Sequence, residues 1–160
     1  MLIIVSAVAL VAVLFMVFVA PGRLASGAGD SACGPADKNG QLVSGMAYLD
    51  NRGLGAAVIE DVQPVDGENL EVVSWGLREM DSELNIGIGP ADGISEAATQ
   101  RRVEPKSQMT LETVLGLVDE SKPGEASGVR VTYTDRLHIT RWSVVTGVHL
   151  TVQPHDGRCF

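Results

Sequence analysis

Three histidines, His138, His149 and His155, fall towards the C-terminal end of a 160-residue chain, and with Met46, Met80 and Met109 they raise the first chemical question. Imidazole and thioether both suit copper. The spacing argues against a centre. No two histidines stand at ligand spacing, and the methionines are scattered. A blue-copper loop would gather Cys, His and Met, yet only Arg158 to Phe160 remain after Asp156-Gly157. Solvated or locally hydrogen-bonded histidines are expected, with no metal and no other cofactor. A metal- or ligand-binding domain using these three histidines is the alternative function.

Hydrolysis asks for a nucleophile, a base and a group that orients the base. The chain has no G-x-S-x-G elbow, and Ser44, Ser74 and Ser143 sit in strand-like sequence without a local partner. The carboxylate pairs Glu60-Asp61 and Asp119-Glu120 stand at strand ends, where they solubilise an edge. Gly87-Ile88-Gly89 is too short to cradle a phosphate and no helix follows it. The expectation is a protein without catalytic activity. The residues left for recognition are Arg101-Arg102, an adjacent basic pair in an irregular stretch, and Arg141-Trp142. Arg and Trp are enriched in binding hot spots, so Arg101, Arg102, Arg141 and Trp142 are the expected contact surface.

Cys33 and Cys159 are the only cysteines, and neither belongs to a C-x-x-C. They stand at the two ends of the sequence that reads as a domain. In an oxidising compartment they would join those ends, so a Cys33–Cys159 disulfide is expected.

The elements that must position these residues begin with the run MLIIVSAVALVAVLFMVFVA, residues 1–20, interrupted only by Ser6. Twenty helical residues span about 30 Å, the hydrocarbon thickness of a bilayer. The run lacks a basic start and is long for a signal peptide, so an uncleaved, helical anchor is expected; cleavage near Ser26-Gly27-Ala28 is the alternative. Arg23 alone favours a cytoplasmic C-terminal part, whereas the cysteines favour the outside, and an extracytoplasmic domain is the expectation. Residues 21–40, rich in Gly, Ala, Ser, Asp and Pro, read as a flexible tether. Residues 41–160 read as one domain. The net charge of −8 argues against nucleic acid as a partner and against a domain lying flat on anionic lipid; a protein of the cell envelope is the expected partner.

Within the domain the apolar pattern alternates. Strands are expected at 42–50, 55–63, 69–77, 110–118, 129–134, 137–145 and 148–153, with 83–88 an edge strand or an ordered loop. In 69–77, Val73, Trp75 and Leu77 share a face, and Asn51-Arg52-Gly53 reads as a turn tolerant of positive φ. Residues 89–107 read as a mobile loop in which Ser95 caps at most a transient helical turn. Strands 129–134 and 147–153 each suit pairing with the segment between them. Seven or so short strands with frequent turn signals give an antiparallel β-sandwich.

Asn51-x-Gly53 with Ile59 and Val62, then Thr110-Leu111 to Leu117, then Gly128-Val-Arg-Val-Thr-Tyr133 and a closing strand with Cys159 resemble the immunoglobulin-like extracytoplasmic domains of small single-pass actinobacterial proteins. The likeness covers about 41–160. It implies an all-β, immunoglobulin-like sandwich, with no shared catalytic motif to carry over. Trp75 would be its core tryptophan. The chain departs from antibody-type domains, because no Cys follows Tyr133 by two residues and no cysteine pair bridges the sheets.

Overall fold

The computed structural model describes residues 21–27, 31–80, 87–90, 98, 100–135 and 137–159. The expected anchor Met1–Ala20 and the turn at Ser95 lie outside them, as does most of the segment 83–88. Among the described residues no helix is long and apolar enough to cross a membrane.

Those residues form strands β1 (Leu24–Ser26), β2 (Ser31–Pro35), β3 (Gln41–Asn51), β4 (Ala57–Val65), β5 (Leu70–Glu79), β6 (Ile88–Pro90), β7 (Arg102–Val103), β8 (Gln108–Leu117), β9 (Gly124–Ala126), β10 (Gly128–Thr134), β11 (Arg141–Thr146) and β12 (His149–Gln153). Alternation dictates the long ones. Val129, Val131 and Tyr133 of β10 are buried while Arg130 between them is exposed, and Leu150 and Val152 of β12 are buried beside exposed His149. β-Branched and aromatic residues suit such half-buried pleats.

One sheet runs β1-β3-β8-β5, with β6 also paired to β3; a second runs β11-β10-β4-β7; a third runs β2-β12-β9. With β1, β3, β4, β5, β8, β10 and β11 taken as seven successive strands, the first, second, fifth and fourth share one sheet. The third, sixth and seventh share the other. That is the strand order of an immunoglobulin-type sandwich. The second and third sheets are joined by continuous chain. Val129 faces Thr146 and Ala126 faces Leu150, so 124–134 and 141–153 make one long hairpin that slips by a residue around Ser127. Thr146 Oγ1 takes the hydrogen bond of the Val129 N–H there, at 3.0 Å.

Leu42, Leu49, Leu77, Leu111 and Leu115 from the first sheet meet Ile59, Val62, Val131, Tyr133, Leu150 and Val152 in one core. Two short segments close its sides. β1 pairs with β3, its Leu24 N–H donates to Tyr133 Oη at 3.2 Å, and Ser26 Oγ donates to the Val145 carbonyl at 3.0 Å. Opposite, the Gln100 carbonyl takes Leu77 N–H and the Arg101 carbonyl takes Ile59 N–H, which stitches β5 to β4. Gly76 is required at this seam, since a Cβ would collide with the Ala98 carbonyl.

Several expectations are corrected. Residues 24–26 and 31–35, expected within a flexible tether, are strands, and Leu24, Ala32 and Ala36 are core. Small residues are needed there because β2 lies close under its neighbours: a Cβ at Gly34 would stand 2.6 Å from Ile88. Residues 100–103, expected within a mobile loop, form the seam just described. β12 pairs with β2, in parallel, and with β9, leaving β11 to β10 alone. The segment 137–145 is strand only from Arg141, and 137–140 belong to the hairpin loop. A register shift between Val72 and Ser74 turns Val73 outward, away from the face of Leu77. Positive φ is found at Asp66, Asn69, Lys106, His138 and Gly40, and the Asn51–Gly53 turn does without it.

Candidate functional site

The outward face of the β11-β10-β4-β7 sheet holds two of the four expected contact residues. Arg102 faces Val58, Val58 faces Thr134, and Thr134 faces Arg141. Three strand spacings separate the two arginines, about 14 Å across one row of the sheet. Each precedes a residue turned to the interior, Val103 and Trp142; Arg141 is exposed, whereas Arg102 is half-buried, its Nε shielded from solvent and its side chain lining a cavity with Glu79, Met80, Gln108 and Met109.

The middle of that row is covered from above. The β10–β11 loop folds back so that His138, at φ 55°, brings Nδ1 to 3.0 Å from Thr134 Oγ1 and 3.3 Å from Glu60 Oε1. Arg141 donates to Glu60 Oε2 through Nε at 2.9 Å and Nη2 at 2.7 Å. Glu60 lies in the one-residue slip between β4 and β10, where Thr132 faces Asp61 and Tyr133 faces Ile59. Its carboxyl is held below the usual carboxylate range, first by the hydrogen bond with His138 and then by Arg141. Arg102 makes an ion pair of 2.7 Å with Glu104. The loop is braced by Asp135, whose buried Oδ1 accepts from Leu137 N–H at 2.9 Å and Ile139 N–H at 3.2 Å.

Arg101 and Trp142 go elsewhere. Arg101 lies on the seam, its guanidinium carbon 3.8 Å from the ring centre of Trp75. A cation over an indole face is attracted to its quadrupole. Trp75, expected as the core tryptophan, is partly buried against the core on β5 and serves as that platform. Trp142 faces inward and stacks on Tyr133 with centroids 5.9 Å apart. Of the four, Arg101 and Arg141 are exposed, Arg102 is half-buried, and Trp142 packs inward on Tyr133.

The histidines are not gathered. His138 sits over the outer face, His149 opens β12 opposite Ser31, and His155 Nδ1 lies 3.1 Å from the Ala36 carbonyl beyond the end of β12. Among the described residues no group of three His, Cys, Asp or Glu side chains is placed to hold a metal. His155 does line a cavity of about 410 Å³ beside Cys33, Gly34, Leu42 and Ile88, the feature that the ligand-binding alternative retains.

Cys33 and Cys159 are disulfide-bonded, with Cα atoms 5.9 Å apart. Sequence reasoning missed Glu60 as the link between His138 and Arg141, since 78 residues separate it from the histidine. It also missed Asp135, although an Asp two residues before a backbone N–H is a local Asx-turn signal.

No family model matches the sequence, and no curated protein matches it. Among solved structures it is similar to the ASH/PapD-like domain of human CEP192 (PapD-like domain 7). The two are 10% identical with a TM-score of 0.42, over 85% of this chain and 87% of that one.

Proposed function

We propose that the chain is a single-pass membrane protein carrying an immunoglobulin-like domain on the extracytoplasmic side, where it acts by non-catalytic contact with an envelope protein. One observation carries this reading: the row Arg102–Val58–Thr134–Arg141, which sets exposed Arg141 and half-buried Arg102 along one rigid sheet. A face held by backbone ladders loses little entropy on binding, and arginine is a favoured anchor. The apolar run 1–20 supports anchorage, and the Cys33–Cys159 bond supports an oxidising compartment. The immunoglobulin-type strand order is compatible with this reading.

A photo-crosslinking side chain at Ser143, exposed on the same face, tests the contact in native membranes. It should yield an adduct of one defined mass, with recovery reduced at least about tenfold, or about 1.4 kcal/mol, in the double variant Arg102→Ala, Arg141→Ala. No adduct, or one indifferent to both substitutions, overturns the reading.

A further inference from the structure

Among the described residues, four of the seven exposed large apolar side chains lie at one end of the sandwich, with Val118 at the other end and Val73 and Val145 on the outer faces of β5 and β11. Leu54 in the β3–β4 turn is 64% exposed, Leu137 and Ile139 in the β10–β11 loop are 48% and 70% exposed, and Met80 after β5 is 40% exposed. All four belong to the same end. Thr134 faces both Val58 and Arg141, so the β10–β11 loop overhangs the start of β4, as the Leu54 turn does. Glu79 faces Met109, which faces Leu49, so Met80 leaves β5 beside the end of β3. These tips are held out by built structure. Asp135 braces the β10–β11 loop, and the buried side chain of Asn51 binds Gly53 N–H and the Gly55 carbonyl on either side of Leu54.

Charge is sorted in the same sense. The turns at the opposite end expose Asp66, Glu68, Glu120 and Glu125 against Lys38 and Lys122, the latter paired with Asp119. The Leu54 end exposes Arg23, Arg52 and Lys106; of its carboxylates, Asp50, Glu104 and Glu60 are paired with Arg52, Arg102 and Arg141, Asp135 is buried, and Glu79 is exposed. The net charge of −8 still argues against the domain lying flat on lipid, but not against this end meeting it.

The chain arrives at this same end. A Cβ at Gly53 would stand 2.5 Å from the Pro21 carbonyl oxygen, and one at Gly22 would stand 2.7 Å from Ala57 Cβ. Pro21 is thus packed against the sandwich, and Ala20, the last residue of the apolar run, directly precedes it. No length of chain separates the run from the Leu54 end.

We infer that this end of the sandwich rests on the bilayer, with Leu54, Leu137 and Ile139 in the headgroup–acyl boundary and Arg23, Arg52 and Lys106 among lipid phosphates. This rests on the proposed anchor. Apolar side chains beside basic ones are the composition that seats a protein about 5–10 Å into that boundary, and anionic headgroups attract nearby Lys and Arg.

The test uses the full chain in vesicles of phosphatidylcholine and phosphatidylglycerol with acyl chains brominated near the headgroup. Leu54→Trp and Ile139→Trp variants, read against the background of Trp75 and Trp142, should lose emission relative to unbrominated vesicles. Val118→Trp, at an exposed site of the opposite end, should keep it. Pure phosphatidylcholine should give a smaller loss at 54 and 139. Equal emission at all three positions, in protein that floats with the vesicles, overturns the inference and leaves the anchor standing. Emission unaffected by bromine but blue-shifted as protein density rises makes a second copy the occupant, and overturns it as well. Protein that fails to float overturns both readings.

Discussion

Asn51 shows how much one buried polar side chain does in this chain. It is 0% exposed. Its Oδ1 accepts from Arg23 N–H and Gly53 N–H, both at 3.0 Å, and its Nδ2 donates to the Gly55 carbonyl at 2.9 Å and the Val103 carbonyl at 3.0 Å. β1, the β3–β4 turn and β7 are therefore joined through one amide. Asn69 does the same at the other end, where its Oδ1 takes Asp119 N–H and its Nδ2 meets the Asp119 and Lys122 carbonyls. Each buried polar partner left unsatisfied costs about 1–3 kcal/mol. Asn51→Asp keeps the shape but turns two donated hydrogen bonds into oxygen facing oxygen. Chemical denaturation should show a loss of about 3 kcal/mol or more, whereas Asn39→Ala, on an exposed turn, should cost far less. Equal losses would sink the role assigned to Asn51. The sequence marked 51–53 as a turn, but for another reason. Gly53 is small because Pro21 and Arg23 press against it, a contact between residues too far apart in sequence for a local pattern to announce.

Among the elements, β8 is buried on both faces from Met109 to Leu117. One face supplies Leu111 and Leu115 to the core; the other carries Glu112, whose Oε1 lies 2.6 Å from Arg78 Nε on β5, with both side chains nearly buried. Breaking a buried pair costs about 3–5 kcal/mol, whereas replacing both partners with apolar residues of similar volume is often neutral or stabilising. Arg78→Met alone should therefore lower the denaturation midpoint markedly, and Arg78→Met with Glu112→Leu should recover most of the loss. Additive losses in the double variant would show that the pair is not what holds β5 to β8. The long strands β3, β4, β5, β8, β10 and β12 were legible because period-2 alternation is imposed by burying one face of a pleat. β1 and β2 were not, since their small residues answer to close packing against Tyr133, Leu42 and Ile88, and small residues in a row read as a linker. The outward orientation of Val73 depends on a bulge, which alternation alone does not mark. The placement of the four expected contact residues divides for a similar reason: Arg102 and Arg141 follow strand alternation, while Arg101 and Trp142 are turned to Trp75 and Tyr133 on other strands.

For the whole molecule, the decisive connection is the one between its ends. β2 stands outside the antiparallel hairpins and is held by its parallel ladder with β12 and by the Cys33–Cys159 bond. That bond closes a loop of 126 residues, worth about 5 kcal/mol in the chain-entropy view of disulfides, though strain and residual structure commonly reduce it. The core does not pass through the bond, because Leu111, Leu115, Val131 and Val152 pack without it. The double variant Cys33→Ala, Cys159→Ala should therefore fold, with stability lowered by about 2–5 kcal/mol. The loss should be concentrated where the bond acts. Amide exchange at Ala32 and Gly34 in β2 should accelerate far more than at Leu111 or Leu115 in β8, since β2 would retain only one strand partner. Uniform acceleration across both strands would mean that the bond acts on the unfolded chain alone. The same cysteines report the compartment, because a bond exposed at the surface, as Cys33 and Cys159 are, persists only where thiols are not continually reduced. Protein taken from its native cells under alkylating conditions without reductant should show no modified cysteine. Two modified cysteines would remove the main support for an extracytoplasmic domain, while leaving the sandwich and the membrane-facing Leu54 end to be judged on their own tests.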